Sequence, residues 1–202
     1  MEAAGLRTAP IRTVLTAEGA ISAAAQAGYP VVLKGAGPTL LHKTEAQAVY
    51  TGLSGDESVL RALHALRRRP DVTQVIVQRQ ITGGVEMFAG ALLDPQFGHL
   101  VMCGSGGTRL ELLRDTSCRL APLTARGAAD MIEDVRGKAL LRGFRGSAPV
   151  NEAAYRDALL RLSALLQLCP EIEKVDLNPV IVTADAAWVV DARVRIAAGG
   201  PS

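Results

Sequence analysis

The sequence lacks the features that place a chain in a membrane, on a secretory route or on a nucleic acid. No uninterrupted apolar run approaches the ~20 residues of a spanning helix, and the first residues lack the basic and then apolar order of a signal peptide. The 22 basic residues nearly balance the 20 acidic ones, so no overall field favours nucleic acid or a membrane surface. We therefore expect a cytoplasmic protein that binds neither.

Cysteine is scarce as well. The three cysteines, Cys103, Cys118 and Cys169, form an odd set without metal-ligand spacing. Their apolar contexts predict buried thiols in a reducing compartment. The glycine-rich segment 104–107 has no Gly-Lys-Ser/Thr after it, which excludes a P-loop.

The apolar pattern predicts a mixed fold. With 202 residues, 49% of them hydrophobic and 21% charged, the chain is long enough for one large domain or two small lobes. Helical spacing predicts helices over 17–27, 56–70, 128–136, 138–141 and 152–168. Strands are predicted over the opening run 6–15 and over 31–34, 72–78, 83–91 and 100–103, the last two joined by the turn 94–98. Because hairpins and helices alternate, the fold class is α/β or α+β.

Residues 173–196 predict a hairpin that carries chemistry. β-branched and aromatic residues dominate two runs around a turn at 184–186, yet Asp176, Asn178 and Asp191 lie within them. If Asn178 and Asp191 face each other, their oxygens converge as Mg²⁺ requires when phosphates supply its remaining ligands. The alternative is that Asn178-Pro179 only breaks the strand and that Asp191 is an edge charge. The residues alone leave both open.

Short motifs in a fixed order cover nearly the whole chain. They are GYPVVLK (28–34), LHKT (41–44), IVQ (76–78), GGVE (83–86), DPQFG (94–98), GSGGTRLE (104–111), LLRGFRG (140–146) and DLNP (176–179) with DAR (191–193). Together they resemble the ATP-grasp domain of ADP-forming acyl-CoA synthetases and of succinyl-CoA synthetase β chains. The resemblance implies a two-lobed ATP-grasp fold with nucleotide between the lobes, the first lobe being 1–75 and the second 76–202.

The resemblance also implies ATP/ADP and Mg²⁺ as ligands and roles for single residues. Lys34 would contact phosphates, and His42 would carry a phosphoryl group between the nucleotide and a partner's active site. Gln78 and Arg79 fall where this fold holds adenine. The second lobe would supply the remaining nucleotide contacts, Glu86, Gly106, Gly107 and Glu111, and the metal ligands Asn178 and Asp191.

Three sites, one of them a pair of residues, depart from the residues that the family usually carries. Ala46-Gln47 replaces a glycine pair, which restricts how closely the backbone approaches phosphate. Arg79 replaces a glutamate and cannot accept hydrogen bonds from ribose or adenine. Lys174 replaces an acidic residue. Two other functions therefore stay open: a regulatory module that binds nucleotide without turnover, and a structural lobe that has lost nucleotide binding.

The expected function is that of the ATP-binding subunit or domain of an ADP-forming acyl-CoA (acetyl-CoA) synthetase, an acid–CoA ligase with a phosphohistidine relay. The chain has no Rossmann fingerprint for CoA, so we expect CoA-binding domains or an α subunit as its partner, in a hetero-oligomer or a longer polypeptide. Its abrupt start at Met1 is typical of one domain of a longer chain. The acyl group and the choice between ATP and GTP do not follow from the sequence.

Overall fold

The computed structural model describes residues 1–38, 40, 48–107 and 115–197. The chain divides into two compact units, Ala9–Gln80 and the combination of Met1–Thr8 with Ile81–Ser202. His42, Glu111 and the pair Ala46-Gln47 lie outside the described residues.

The smaller unit is an antiparallel sheet packed against helices. Its described elements are β1 (Ile11–Val14), α1 (Ala17–Ala27), β2 (Val31–Ala36), β3 (Val49–Leu53), α2 (Asp56–Arg67) and β4 (Gln74–Arg79). The strands follow the order β1-β4-β2-β3, and each neighbouring pair is antiparallel. Helix α1 begins where the Thr16 hydroxyl accepts a hydrogen bond from the Gly19 N–H at 2.9 Å, a typical N-cap.

One face of this sheet carries the core of the smaller unit. Leu33 of β2 and Val77 of β4 are buried together with Val59, Leu63 and Leu66 of α2. The three helix residues recur at the spacing of one helical face, which is why the sequence predicts them as a core stripe. Helix α2 ends ahead of Pro70, as a proline stop requires.

The larger unit has a longer antiparallel sheet. Its described strands are β5 (Val85–Asp94), β6 (Gly98–Ser105), β7 (Thr116–Leu120), β8 (Ile172–Val182), β9 (Ala187–Val189) and β10 (Ala192–Ile196), and its described helices are α3 (Ala125–Asp134), α4 (Lys138–Leu141) and α5 (Glu152–Leu168), with a short 3₁₀ turn at Glu2–Ala4. The sheet order is β10-β8-β5-β6-β7, and β9 also pairs with β8. Every pair is antiparallel.

Helices cover one face of the larger sheet. Met87, Ala89 and Ala91 of β5 alternate into the core, where they meet Leu159 and Leu162 of α5. The hydroxyl of the fully buried Tyr155 donates to the backbone carbonyl of Phe88, so this polar group is satisfied inside the core. Helix α5 therefore fixes the strand that carries Glu86 and Phe88.

The mixed α and β class is confirmed, and so are most of the predicted elements. The helices over 17–27, 138–141 and 152–168 have the predicted bounds. Strands β3 and β7 were not predicted, because Gly52 and Ser117-Cys118 interrupt the apolar alternation that marks a strand. The predicted lobe boundary after residue 75 falls inside β4, whereas the chain leaves the smaller unit only after Gln80.

Among the helices that the structure describes, none combines the length and apolarity needed to cross a membrane.

Cys103 is buried, but Cys169 is half-buried and Cys118 is exposed. The prediction of buried thiols is therefore wrong for Cys118, because β7 is the outermost strand of its sheet and Cys118 lies on its solvent side.

Candidate functional site

The hairpin predicted near the C-terminus is present, with β8 pairing to β9 and then to β10. Val189 lies opposite Val180 and Ala192 opposite Leu177, in the same antiparallel register. Carried through the two residues between β9 and β10, this register places Asp191 opposite Asn178. Both residues are half-buried. Two oxygen-bearing side chains thus occupy facing positions, although metal binding by them stays a prediction.

The glycine-rich segment after β6 is hydrogen-bonded to two neighbouring strands. The Gly106 N–H donates to the Glu86 carbonyl of β5 at 3.0 Å. The Gly107 N–H donates to the Asn178 side-chain oxygen of β8, also at 3.0 Å. The turn is therefore fixed next to the two strands that carry the predicted carboxylate and metal ligand.

Only glycine fits at these two positions without a rearrangement. A Cβ atom on Gly106 would lie 2.6 Å from the backbone of Met87. Gly107 has a φ of 63°, and a Cβ atom there would lie 2.2 Å from the Glu86 Oε2 atom. The close approach and the positive φ are two physical reasons for glycine that a sequence pattern alone cannot separate.

A cavity opens beside this turn within the larger unit. Its volume is about 390 Å³, within the range of small-molecule sites. It is lined by Gly84, Val85, Glu86, Gly106, Leu140, Phe144 and Ser147. Glu86 is exposed and supplies a carboxylate to the wall. The structure thus brings together four of the predicted residues, Glu86, Gly106, Gly107 and Asn178, with Asp191 opposite Asn178.

Asp115 holds the end of the strand that leads into the glycine turn, a role that the sequence does not predict. Its side chain accepts hydrogen bonds from the Ser105 hydroxyl at 2.7 Å, the Arg136 N–H at 2.7 Å and the Gly137 N–H at 2.8 Å. Burial by itself would raise the pKa of Asp115, but these hydrogen bonds outweigh burial and hold its pKa below the ordinary value. The carboxylate therefore clamps the end of β6 to the segment that begins α4.

The three predicted residues of the smaller unit that the structure describes, Lys34, Gln78 and Arg79, lie on its two central strands. Lys34 is inside β2 rather than at its end, because the strand continues to Ala36. Its side chain is only 8% exposed. Gln78 of β4 is 3% exposed, and its side-chain amide donates to the Ala9 carbonyl at 3.4 Å. The neighbouring Arg79 is exposed.

Lys34 and Gln78 share one face of the smaller sheet. Lys34 is in register with Ile76, and Val32 is in register with Gln78. Residues directly opposite share a face, and alternate residues of a strand do so too. This face is therefore the one opposite to Leu33, which packs into the helix-covered core.

The described residues contain no group of three or more His, Cys, Asp or Glu side chains that could hold a metal ion by themselves. A site built from Asn178 and Asp191 would need oxygens from a ligand, which is the arrangement expected of a Mg²⁺–phosphate complex. His42 and Glu111 lie outside the described residues, and their roles stay predictions.

Comparison with known proteins identifies the family. A model described as an ATP-grasp domain matches residues 1–196. The β subunit of ADP-forming acetate–CoA ligase I from Pyrococcus furiosus is 34% identical over 197 residues, which cover 94% of this chain and 85% of that protein. ADP-forming acetate–CoA ligase I from Archaeoglobus fulgidus is 36% identical over 200 residues, which cover 96% of this chain but 29% of that protein.

Solved structures of acetyl-coenzyme A synthetase 1 from Ca. Korarchaeum cryptofilum are similar along almost the full chain. One, in complex with coenzyme A, Ca-AMPCP and HgCl⁺, has a TM-score of 0.91 and 38% identity and covers 96% of this chain and 88% of its own. Another, with coenzyme A and Mg-AMPPCP and with its phosphohistidine segment towards the nucleotide site, has a TM-score of 0.85 and 38% identity and covers 96% and 87%. The chain belongs to the family of ATP-grasp domains of ADP-forming acyl-CoA synthetases.

Proposed function

We propose that this chain is the ATP-binding subunit or domain of an ADP-forming acyl-CoA synthetase and that it passes a phosphoryl group between nucleotide and acyl phosphate through His42. The observation that carries the proposal is the hydrogen bond from the Gly107 N–H to Asn178, with Asp191 opposite Asn178 in the hairpin register. It joins the glycine turn to a pair of oxygens of the type that binds hard metal ions. The Korarchaeum relative holds Mg-AMPPCP and has a phosphohistidine segment, which supports the same assignment here.

The oxygens on the hairpin fit a magnesium ion. The Asn178 oxygen accepts one hydrogen bond from Gly107 and has a second lone pair for a cation. Asp191 adds a carboxylate, and Mg²⁺ is commonly held by one or two carboxylates together with substrate phosphates. When bound, the ion would offset negative charge on the transferring phosphates. Asn178 and Asp191 would hold it.

The other residues bind and orient the nucleotide. Gly106 and Gly107 have no side chains that would keep the nucleotide away from this turn, and the Lys34 ammonium supplies a positive charge for phosphate oxygens. Gln78 and Arg79, at the end of β4, contact the nucleoside. Glu86 and Glu111 order the phosphate-binding turn and its metal. In this scheme, Arg79 replaces a hydrogen-bond acceptor with a donor, which changes base or ribose preference.

The chemical step is phosphoryl transfer to an imidazole. The neutral His42 side chain attacks the γ-phosphorus of ATP with its unprotonated nitrogen. The new N–P bond forms as the bond from the γ-phosphorus to the bridging oxygen breaks, and ADP departs. The imidazolium then loses its N–H proton to solvent. In the opposite direction, ADP receives the phosphoryl group that acyl phosphate has given to the histidine.

The remaining chemistry requires a partner. Joining acyl phosphate to CoA needs a CoA site, and the chain spans only 29% of the length of its Archaeoglobus relative. We propose a CoA-binding α subunit or additional domains as that partner, within a cytoplasmic assembly. Acetate is the acid in the names of both curated relatives, which makes acetate the first acid to test.

The test is acid-labile labelling by γ-³²P-ATP and Mg²⁺. We expect label on the unaltered chain and none on the His42→Ala variant, because only the relay histidine forms a phosphoramidate. His64→Ala is the matched control, since His64 is an exposed histidine on α2. Absence of label from the unaltered chain would overturn the relay. A rise in melting temperature with Mg-ATP would then identify a binding module, and no rise would identify a structural lobe.

A further inference from the structure

The loop between α4 and α5 holds an arginine in an unfavourable backbone conformation. Arg145 has a φ of 52° and is the one non-glycine residue with a positive φ among the described residues. The left-handed region is costly for residues with a Cβ atom, and such residues collect at functional sites. The folding of the loop alone therefore does not explain why this position is an arginine.

The turn that contains Arg145 favours other residues. The Ser147 N–H donates to the Phe144 carbonyl at 3.2 Å, which closes a four-residue turn. Its two central residues, Arg145 and Gly146, both have positive φ values of 52° and 87°. Turns with two positive φ angles favour asparagine, aspartate or glycine at the first central position. Turn geometry gives no reason for an arginine.

The base of the loop is held firmly. The Arg142 guanidinium donates to both carboxylate oxygens of Glu152, at 2.8 and 2.9 Å, and also to Glu133. These bonds raise the pKa of Arg142, and those from Arg142 and then Lys138 lower the pKa of Glu133 to about 2. The Val150 N–H closes the loop with a 2.8 Å bond to the Leu141 carbonyl.

Arg145 stands beside the cavity of the nucleotide site. Its guanidinium carbon lies 5.3 Å from the centre of the Phe144 ring, a cation–π distance. The Phe144 ring is itself part of the cavity wall and is 48% exposed. No carboxylate pairs with Arg145 within the part of the chain that the structure describes. Its charge is thus available to a ligand.

The charges on the cavity wall suit a metal–phosphate ligand. Glu86 is an exposed carboxylate on the wall and by itself would repel a phosphate chain. A guanidinium presents planar N–H groups that match phosphate oxygens, whereas its stacked face is covered by the ring. A carboxylate for the metal and a guanidinium for the phosphates together complement a Mg²⁺-bound nucleotide.

We propose that Arg145, held on Phe144, binds the phosphate chain of the nucleotide in this cavity. The inference rests on the proposed function, since it concerns the same nucleotide. It assigns to the 142–147 loop a phosphate contact that is separate from the glycine turn and from Lys34. Base recognition is left to other residues.

The experiment compares Arg145→Gly with the unaltered chain by calorimetric titration of Mg-ADP. Glycine accepts the positive φ, so this variant should keep or raise its melting temperature while it loses the guanidinium. We expect the Kd for Mg-ADP to rise roughly 10- to 100-fold, as for loss of a hydrogen bond to a charged group. The Kd of Arg145→Lys for Mg-ADP should lie between those of the unaltered chain and Arg145→Gly. Arg126→Ala is the control, because Arg126 is an exposed arginine on α3.

Competitors separate phosphate contact from shaping of the base pocket. The Kd of inorganic tripolyphosphate, obtained from its competition with Mg-ADP, should rise in Arg145→Gly. The Kd of adenosine, obtained in the same way, should stay unchanged. An unchanged Kd for Mg-ADP, or an equal rise in the Kd for adenosine, would overturn the inference. A chain that shows Arg145-dependent binding but forms no phosphohistidine would uphold the inference and remove the proposed relay. Failure of the unaltered chain to bind Mg-ADP would overturn both.

Discussion

The backbone N–H of Gly107 donates a 3.0 Å hydrogen bond to the side-chain oxygen of Asn178, although the two residues are 71 positions apart. This bond ties the turn after β6 to the strand that faces Asp191. The same oxygen is the proposed metal ligand. Asn178 therefore has two tasks, to hold the turn and to bind the cation, and a substitution can separate them.

Asn178→Ala should impair both tasks, whereas Asn178→Asp should preserve them. Alanine removes the acceptor of the Gly107 N–H, and we expect a loss of about 1–3 kcal/mol in the free energy of unfolding. Phosphorylation of His42 should slow at least about tenfold, and half-maximal rate should require more Mg²⁺. Aspartate keeps an oxygen for both partners, so its rate should stay within about threefold. Denaturant unfolding and labelling at several Mg²⁺ concentrations measure these effects.

The result for Asn178→Ala has a clear alternative. A variant that unfolds more easily but keeps the labelling rate and the Mg²⁺ dependence would restrict Asn178 to holding the turn. The metal would then need other protein oxygens. Asp191→Asn provides the second measurement, because Asp191 is not a partner in the Gly107 hydrogen bond, and this variant should require more Mg²⁺ for half-maximal labelling.

Asp115→Asn should destabilise the larger unit and change its response to acid. The carboxylate is 8% exposed and accepts three hydrogen bonds. An amide presents an N–H group to these donors, so we expect a loss of about 2–3 kcal/mol in the free energy of unfolding at pH 7. Asp130→Asn is the matched control, since Asp130 is half-exposed and lies 3.8 Å from the Arg126 Nε atom.

The pH dependence follows from the lowered pKa of Asp115. Its folded pKa lies below the ordinary value of 3.8. The ionised carboxylate therefore stabilises the fold above about pH 4, and this contribution is lost as the pH falls through the folded pKa. The unaltered chain should therefore lose more stability than Asp115→Asn as the pH falls from 5 to 2. Equal acid profiles would contradict the assigned role.

Local patterns predicted the elements well, and contacts between distant strands account for most of what was missed. The β-branched runs around 184–186 are sufficient to predict the hairpin, and its register brings Asn178 opposite Asp191. The glycine turn is different, because β6 and β8 are both neighbours of β5 and the distance from Gly107 to Asn178 depends on that sheet order. No periodicity within either segment encodes the proximity of Gly107 to Asn178.

Asp115 illustrates the same limit. Its donors Arg136 and Gly137 lie 21 and 22 residues further along the chain, beyond α3. A buried carboxylate with three donors has no sequence signature, since aspartate in a loop is most often a turn residue. The interpretation of Lys34 as a strand-end residue was wrong for a related reason. Gly35 and Ala36 continue β2 because they pair with Val75 and Gln74 of β4.

Lys34→Met should keep the fold and weaken nucleotide binding. Lys34 lies within β2 between β3 and β4, with its side chain 8% exposed and in register with Ile76. Methionine has a similar length, but Lys34 interacts with another group of the protein, so the melting temperature without ligand should fall while the chain still folds. Removing the ammonium should raise the Kd for Mg-ATP about 10- to 100-fold, with a smaller effect for adenosine.

Lys174→Met is the control for loss of a lysine charge, because Lys174 is exposed on β8 and paired in register with Leu92. Its Kd for Mg-ATP should match that of the unaltered chain. If Lys34→Met binds Mg-ATP as tightly as Lys174→Met, then Lys34 does not contact the phosphates. The smaller unit would then contribute to nucleotide binding only through Gln78, Arg79 and the segment that carries His42.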